Sequence, residues 1–208
     1  MKTRFLVVAF SLALQGTLAQ VSDSFSDGNF TSNPAWSGND TDFTVNPGFQ
    51  LQLNSSGTDT SYLQNPNTYT LNNCEWNFWI RLNFAPSASN NARVYLASDQ
   101  ANLQGALNGY FLQFGEALSN DQVELFRQTG TATTSVCRGS TLIASAFSIR
   151  VKVVRDNAGL WTLSVDPTGG TNYVQEAQGT DATHTTTAFF GLNCFYTSSN
   201  STDIYLDD

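Results

Sequence analysis

The feature that most constrains this chain is an eleven-residue run, residues 74–84. There Cys74, Trp76, Phe78, Ile80, Leu82 and Phe84 alternate with Glu75, Asn77, Trp79, Arg81 and Asn83. A period of two over that length is the signature of a long strand with one face buried and one wet. The same alternation marks Phe49-Gln50-Leu51-Gln52-Leu53, residues 147–153 with Ser148, Arg150 and Lys152 outward, and Trp161-Thr162-Leu163-Ser164-Val165. Shorter strands are predicted over residues 93–98, 109–115, 122–128, 173–177, 187–195 and 203–206. Turn-forming stretches such as Ser87-Ala88-Ser89-Asn90-Asn91 and Asp156-Asn157-Ala158-Gly159 separate them. No segment sustains helical spacing, and a single helical turn is allowed only within residues 98–106. About a dozen strands cannot lie in one flat sheet, so two packed antiparallel sheets, an all-β sandwich, are the economical answer.

The first nineteen residues read differently. Lys2 and Arg4 precede an apolar run over residues 5–14, and Gly16-Thr17-Leu18-Ala19 offers small residues for cleavage. The run is about half the ~20 residues that a membrane span needs. A signal peptide over residues 1–19, cleaved after Ala19, is therefore expected, leaving one secreted domain over residues 20–208. The whole chain carries 9 Lys and Arg against 17 Asp and Glu, a formal charge of −8, and loss of Lys2 and Arg4 takes it to −10. Such a surface repels phosphate backbones and lacks the basic patches that bind nucleic acid or dock on acidic membranes. Cys74, Cys137 and Cys194 are an odd number. In an exported protein they read either as one disulfide, Cys137 with Cys194, plus a thiol, or as three buried thiols.

Three pieces stand in a telling order: Glu75-Trp76-Asn77-Phe78-Trp79-Ile80-Arg81-Leu82, then Gly109-Tyr110-Phe111-Leu112-Gln113-Phe114-Gly115, then a hairpin from Phe147 to Val153 through Asn157-Ala158-Gly159 into Trp161-Thr162-Leu163-Ser164-Val165-Asp166. Together they resemble the concanavalin A-like lectin/glucanase jelly roll in its laminin G-like form. The opening Asp23-Ser24-Phe25-Ser26-Asp27-Gly28-Asn29-Phe30 and the closing Tyr205-Leu206-Asp207-Asp208 are similar to amino-terminal modules of large secreted bacterial surface proteins, some with a lamin-tail domain. The resemblance implies a jelly-roll sandwich joined to further domains, and either glycan recognition and adhesion or glycoside hydrolysis.

For hydrolysis two carboxyl groups must flank the scissile bond, most simply at i and i+2 or i+4 on one strand face. Of Glu75, Glu116, Glu124 and Glu176 none has such a partner, and Asp121 and Glu124 fall on opposite faces. A cross-strand acid pair is the route left to an enzyme, and a spacer without a ligand is the third reading. His184 stands in a polar loop without a nucleophile motif beside it, and no phosphate-binding glycine loop is present. No cofactor is required by these residues.

A sugar-binding face needs exposed rings to stack on pyranoses, with amides and acids nearby. Trp79 breaks an otherwise polar outward row. Arg93 and Tyr95, Phe111 and Gln113, and Glu124 and Phe126 alternate with apolar Val94, Leu112 and Leu125, so each pair is placed on an outward face. The expected glycan site is this set of seven. Alternatively, the rings pack beneath a loop or against the second sheet. Jelly rolls also bring their first and last strands together, which would cluster Asp23, Asp27, Asp207 and Asp208. Asp27 and Asp207 are thus candidate ligands of a structural calcium ion, although Asp27-Gly28 also reads as an ordinary turn.

Overall fold

The structure is a computed structural model describing residues 22–118 and 120–208. The expected signal peptide lies outside the described residues. Among the described residues fourteen strands form the sheets, with two single 3-10 turns at Asp40–Asp42 and Ser198–Asn200: β1 (Ser37–Gly38), β2 (Phe43–Val45), β3 (Leu51–Leu53), β4 (Asp59–Thr70), β5 (Cys74–Leu82), β6 (Asn91–Ser98) and β7 (Leu107–Phe114) in the first half. The second half adds β8 (Gln122–Gly130), β9 (Ala132–Leu142), β10 (Phe147–Arg155), β11 (Leu160–Asp166), β12 (Val174–Thr180), β13 (Thr186–Tyr196) and β14 (Ile204–Asp207). They form two antiparallel seven-stranded sheets, ordered β1-β4-β13-β6-β7-β8-β9 and β12-β11-β10-β5-β14-β3-β2. This is the two-sheet sandwich the alternation predicts, in the jelly-roll form the resemblance implies. The helical turn allowed within residues 98–106 does not form; the segment is a loop of turns and bends.

The alternation of β5 sends Cys74, Trp76, Phe78, Ile80 and Leu82 into the core, where they meet Ile149, Val151 and Val153 of β10 and Trp161, Leu163 and Val165 of β11. From the other sheet Val94, Tyr110, Leu112, Phe114, Val123 and Leu125 pack against them. The β10–β11 hairpin turns at Asp156, whose carboxylate accepts from the Ala158 and Leu160 amides at 2.8 Å each. Gly159 supplies the left-handed backbone (φ +81°) the turn requires.

Two edges of the sandwich are closed in different ways. At one, β12 crosses to β9: Glu176 accepts from the Ser140 and Thr141 amides at 3.0 and 3.2 Å. At the other, the segment before β1 inserts Phe25 and Trp36, and the Trp36 ring sits between Phe25 (6.0 Å) and Phe190 (5.8 Å).

The structure corrects the disulfide. Cys74, Cys137 and Cys194 are all buried free thiols. Cys137 lies on β9 and Cys194 on β13, four strand positions apart in one sheet, a separation of roughly 19 Å at ~4.8 Å per strand. A disulfide needs Cα atoms within about 7 Å.

Candidate functional site

Strands β6, β7 and β8 follow one another in sequence and in the sheet, so their outward residues fall into rows. Tyr95, Phe111 and Phe126 are directly opposed in one row, and Arg93, Gln113 and Glu124 in the next. The second row continues to Asn193 of β13 on one side and Arg138 of β9 on the other. Six of the seven predicted glycan-site residues therefore share one face.

The two rows differ in access. Leu103 of the loop before β7 and Leu107 at the start of β7 roof the first, leaving Tyr95 and Phe111 at 1% exposure. That loop is pinned by Gln128, which accepts from the Tyr95 hydroxyl at 2.9 Å and donates to the Gly105 carbonyl at 3.2 Å. Phe126 stacks on Phe111 with ring centroids 5.3 Å apart and remains half-buried at the margin. The second row is more accessible: Arg93, Gln113, Glu124 and Arg138 are half-buried, and Asn193 is closed off at 1% exposure. The Arg93 guanidinium lies over Phe111 (4.8 Å) and Phe195 (5.0 Å), and its Nε donates to Gln113 Oε1 at 3.1 Å. Beside it Arg138 donates to Glu124 at 2.5 Å, to Gln122 at 2.8 Å and to Glu116. The bonds from Glu116 come first in raising the Arg138 pKa above the usual guanidinium value, with Glu124 adding to them. A guanidinium thus occupies the space between the two glutamates that the face brings together from separate segments. Phe195, Arg138, Glu116 and Gln122 complete this site and are not picked out by sequence reasoning. Phe195 continues the alternation of β13, whereas β9 has no apolar period from which Arg138 could be placed.

Trp79 is the exception. It belongs to the other sheet, where its cross-strand partners are Arg150 and Asp207, so it shares no face with Arg93, Tyr95, Phe111, Gln113, Glu124 and Phe126. Its indole N–H donates to Ser148 at 3.0 Å, and a turn covers the ring: a Cβ added at Gly169 would stand 3.1 Å from the indole nitrogen. Asp166 shapes that turn by accepting from Thr168 and Asn172 amides at 2.9 and 2.7 Å. The polar outward row of β5 tolerates a tryptophan because this loop packs on it.

The first and last described residues do meet. Ser22 donates to the Asp208 carboxylate at 3.2 Å, and Asp23 accepts from the Trp36 indole at 2.8 Å and the Phe25 amide at 2.9 Å. Burial raises the Asp23 pKa, and burial with the neighbouring Asp208 and Asp23 charges pushes Asp207 up to about 6. Asp27 turns away to Asn29, whose side chain donates to it at 2.8 Å. Calcium takes six or more oxygens, and among the described residues no three acids, histidines or cysteines converge in a metal-holding group. In the structure Asp27 sits in a turn and Asp207 on the lining of a cleft. That cleft, about 610 Å³, opens between β5, the end of β14 and the segment before β1.

No family model matches the chain, and no curated protein sequence matches it. Solved structures do. A carbohydrate binding module, CBM66 from Bacillus subtilis, matches with a TM-score of 0.55 at 15% identity, over 84% of this chain and 92% of that one. The VIP36 exoplasmic/lumenal domain, in a Ca2+/Man-bound form, matches at 0.60 and 8% identity, over 83% and 79%. The legume lectin-like domain from Entamoeba histolytica matches at 0.56 and 10% identity, over 86% and 88%. At these identities the likeness is one of fold: the chain, like these structures, is a two-sheet antiparallel jelly-roll sandwich.

Proposed function

We propose that this chain is an extracellular, non-catalytic carbohydrate-binding module, with its ligand held on the half-buried row Arg93–Gln113–Glu124–Arg138. The carrying observation is that row itself: guanidinium, amide and carboxylate groups side by side on adjoining strands, flanked by the half-buried Phe126 and Phe195 rings. Sugars are held by the same combination of ring stacking and multiple polar contacts. The named roles of the fold neighbours support the reading. The enzyme alternative fares less well here, because Arg138 bridges Glu116 and Glu124 where a hydrolase would keep an acid and a base apart across the substrate. In this reading residues 1–19 direct export, residues 20–208 are one recognition domain, and the domain is joined to others in a longer surface protein. Among the described residues no helix is long and apolar enough to cross a membrane.

Affinity electrophoresis against a panel of soluble polysaccharides tests it. Arg93→Ala and Gln113→Ala are each expected to weaken binding roughly tenfold or more, the value of one to two lost polar contacts, while Trp79→Ala leaves it unchanged. Absence of binding across the panel, or undiminished binding by folded Arg93→Ala, overturns the assignment.

A further inference from the structure

Strand β5 is paired along its whole length on one side, where Phe147–Arg155 of β10 faces it. On the other side β14 covers only Trp79 to Leu82. Among the described residues, Cys74 to Phe78 has no strand beside it there. That leaves roughly 17 Å of open edge in the middle of a sheet, at ~3.4 Å per residue. Open edges of this kind are usually covered, twisted away or blocked by charge.

Antiparallel geometry identifies the open groups, because alternate residues turn both N–H and C=O to the same side. The Asn83 amide donates to the Asp203 carbonyl at 3.0 Å, on the β14 side. Arg81, Trp79, Asn77 and Glu75 follow in the same phase. The N–H and C=O groups of Asn77 and Glu75 therefore point into the 610 Å³ cleft with no strand to receive them. Their side chains do not block the way: Glu75 is held by Lys152 at 3.1 Å and Asn77 by the Tyr173 hydroxyl at 2.6 Å, on the outward face. The inward wall of the cleft is aromatic, with Trp76, Phe78 and Phe25. Trp76 is 7% exposed and its indole nitrogen lacks a hydrogen-bond partner. Asp207 at the end of β14, Asp208 after it, and Asp23 from the segment before β1 also line the cleft.

We propose that this edge binds an extended peptide of another chain as an added strand, antiparallel to β5 and in line with β14, its cationic amino end beside Asp208. The register sets the side chains it takes. A residue opposite Asn77 points outward and is polar, and the next, opposite Trp76, points inward and is apolar. The third, opposite Glu75, points outward and is basic, and the fourth, opposite Cys74, is small. Main-chain bonds to Asn77 and Glu75 supply affinity, and the alternate inward pocket supplies selectivity, as in strand addition generally. The three carboxylates lining the cleft favour the peptide's ammonium group over an acidic partner.

The probe is the tetrapeptide Thr-Val-Lys-Ala with a free amino terminus, titrated into the full chain with amide exchange and chemical shifts read at Glu75 and Asn77. Binding is expected to slow exchange at both amides. Methylating the lysine nitrogen, which faces β5, is expected to weaken binding roughly tenfold, the worth of a lost buried hydrogen bond. Methylating the alanine nitrogen, which faces away, leaves binding within about twofold. Asn77→Pro gives the same loss from the protein side; it removes an N–H that β10 does not use, as edge prolines do. No protection at either amide, equal losses from both methylated peptides, or protection by a soluble glycan in place of the peptide would each overturn the proposal.

Discussion

Asp181, in the turn after β12, ties the two sheets together, and its replacement by alanine is the sharpest test of how the loops are held. Its side chain is 10% exposed. It accepts from the Tyr110 hydroxyl at 2.7 Å, from Arg127 at 2.6 Å and from the Thr183 amide at 2.9 Å, while its carbonyl accepts from the Trp161 indole at 3.0 Å. Tyr110 comes from one sheet and Trp161 from the other, with rings 4.5 Å apart. Asp181→Ala leaves the fully buried Tyr110 hydroxyl without its carboxylate, a charge-assisted bond worth ~1.5–3 kcal/mol. Loss of the partly exposed Arg127 pair adds about 0.5 kcal/mol. A total near 3 kcal/mol lowers Tm by about 6–12 °C for a domain of this size. Asp181→Asn, which keeps the volume and one acceptor, is expected to cost about half as much.

The pH dependence has a definite sign. Burial alone would raise the Asp181 pKa, but the Thr183 amide, the Tyr110 and Thr183 side chains and the Arg127 charge outweigh it, and the net shift is downward. The stabilisation is thus complete above the unfolded value, near 4, and is lost as pH falls through the lower folded value. Urea unfolding of wild type and Asp181→Ala at about pH 7 and about pH 3 reads both effects, and the gap between them should narrow at the lower pH. A variant within ~0.5 kcal/mol of wild type at neutral pH would refute the argument. So would a gap that does not change with pH.

Two further outcomes are expected. Asp207, pushed up to about 6 chiefly by burial, binds its proton more tightly folded than unfolded, so wild type loses stability as pH rises from about 4 through about 6. Asp207→Asn is expected to gain about 1 kcal/mol at about pH 7, after discounting for its half-exposed site, and nothing near pH 4; thermal scans at the two pH values check it, and a gain at both speaks against the charge argument. The denatured chain should titrate three thiols with or without prior reduction, because Cys74, Cys137 and Cys194 are free. The folded chain should react slowly, since burial pushes Cys137 up to about 11 and Cys194 well above the ordinary thiol range. A count of one thiol before reduction would restore the Cys137–Cys194 bridge.

What can be read from the sequence follows from what a period of two encodes. It says which face a residue takes, and it says so only where the buried face is apolar. β5, β10 and β11 meet that condition and are legible. β4 turns Ser61, Asn65 and Asn67 away from solvent, and Asn65 satisfies its amide on the Ala35 carbonyl at 2.8 Å; a twelve-residue strand is therefore silent in hydrophobicity. β9 places Cys137 and Gly139 inward among threonines and serines, so Arg138 has no phase to be assigned from. The period carries no information on which strand lies beside which. For β6, β7 and β8 that gap is harmless, because these consecutive strands do pair with one another, and the outward faces read from sequence for Arg93, Gln113 and Glu124 coincide. For β5 it is not. The chain crosses to the opposite sheet between β5 and β6, and Trp79 ends beside residues far along the chain, Arg150 and Asp207. The same crossing makes the open edge of β5 invisible in sequence: its existence depends on β14 stopping opposite Trp79 while β5 runs on to Cys74, a mismatch between segments more than a hundred residues apart.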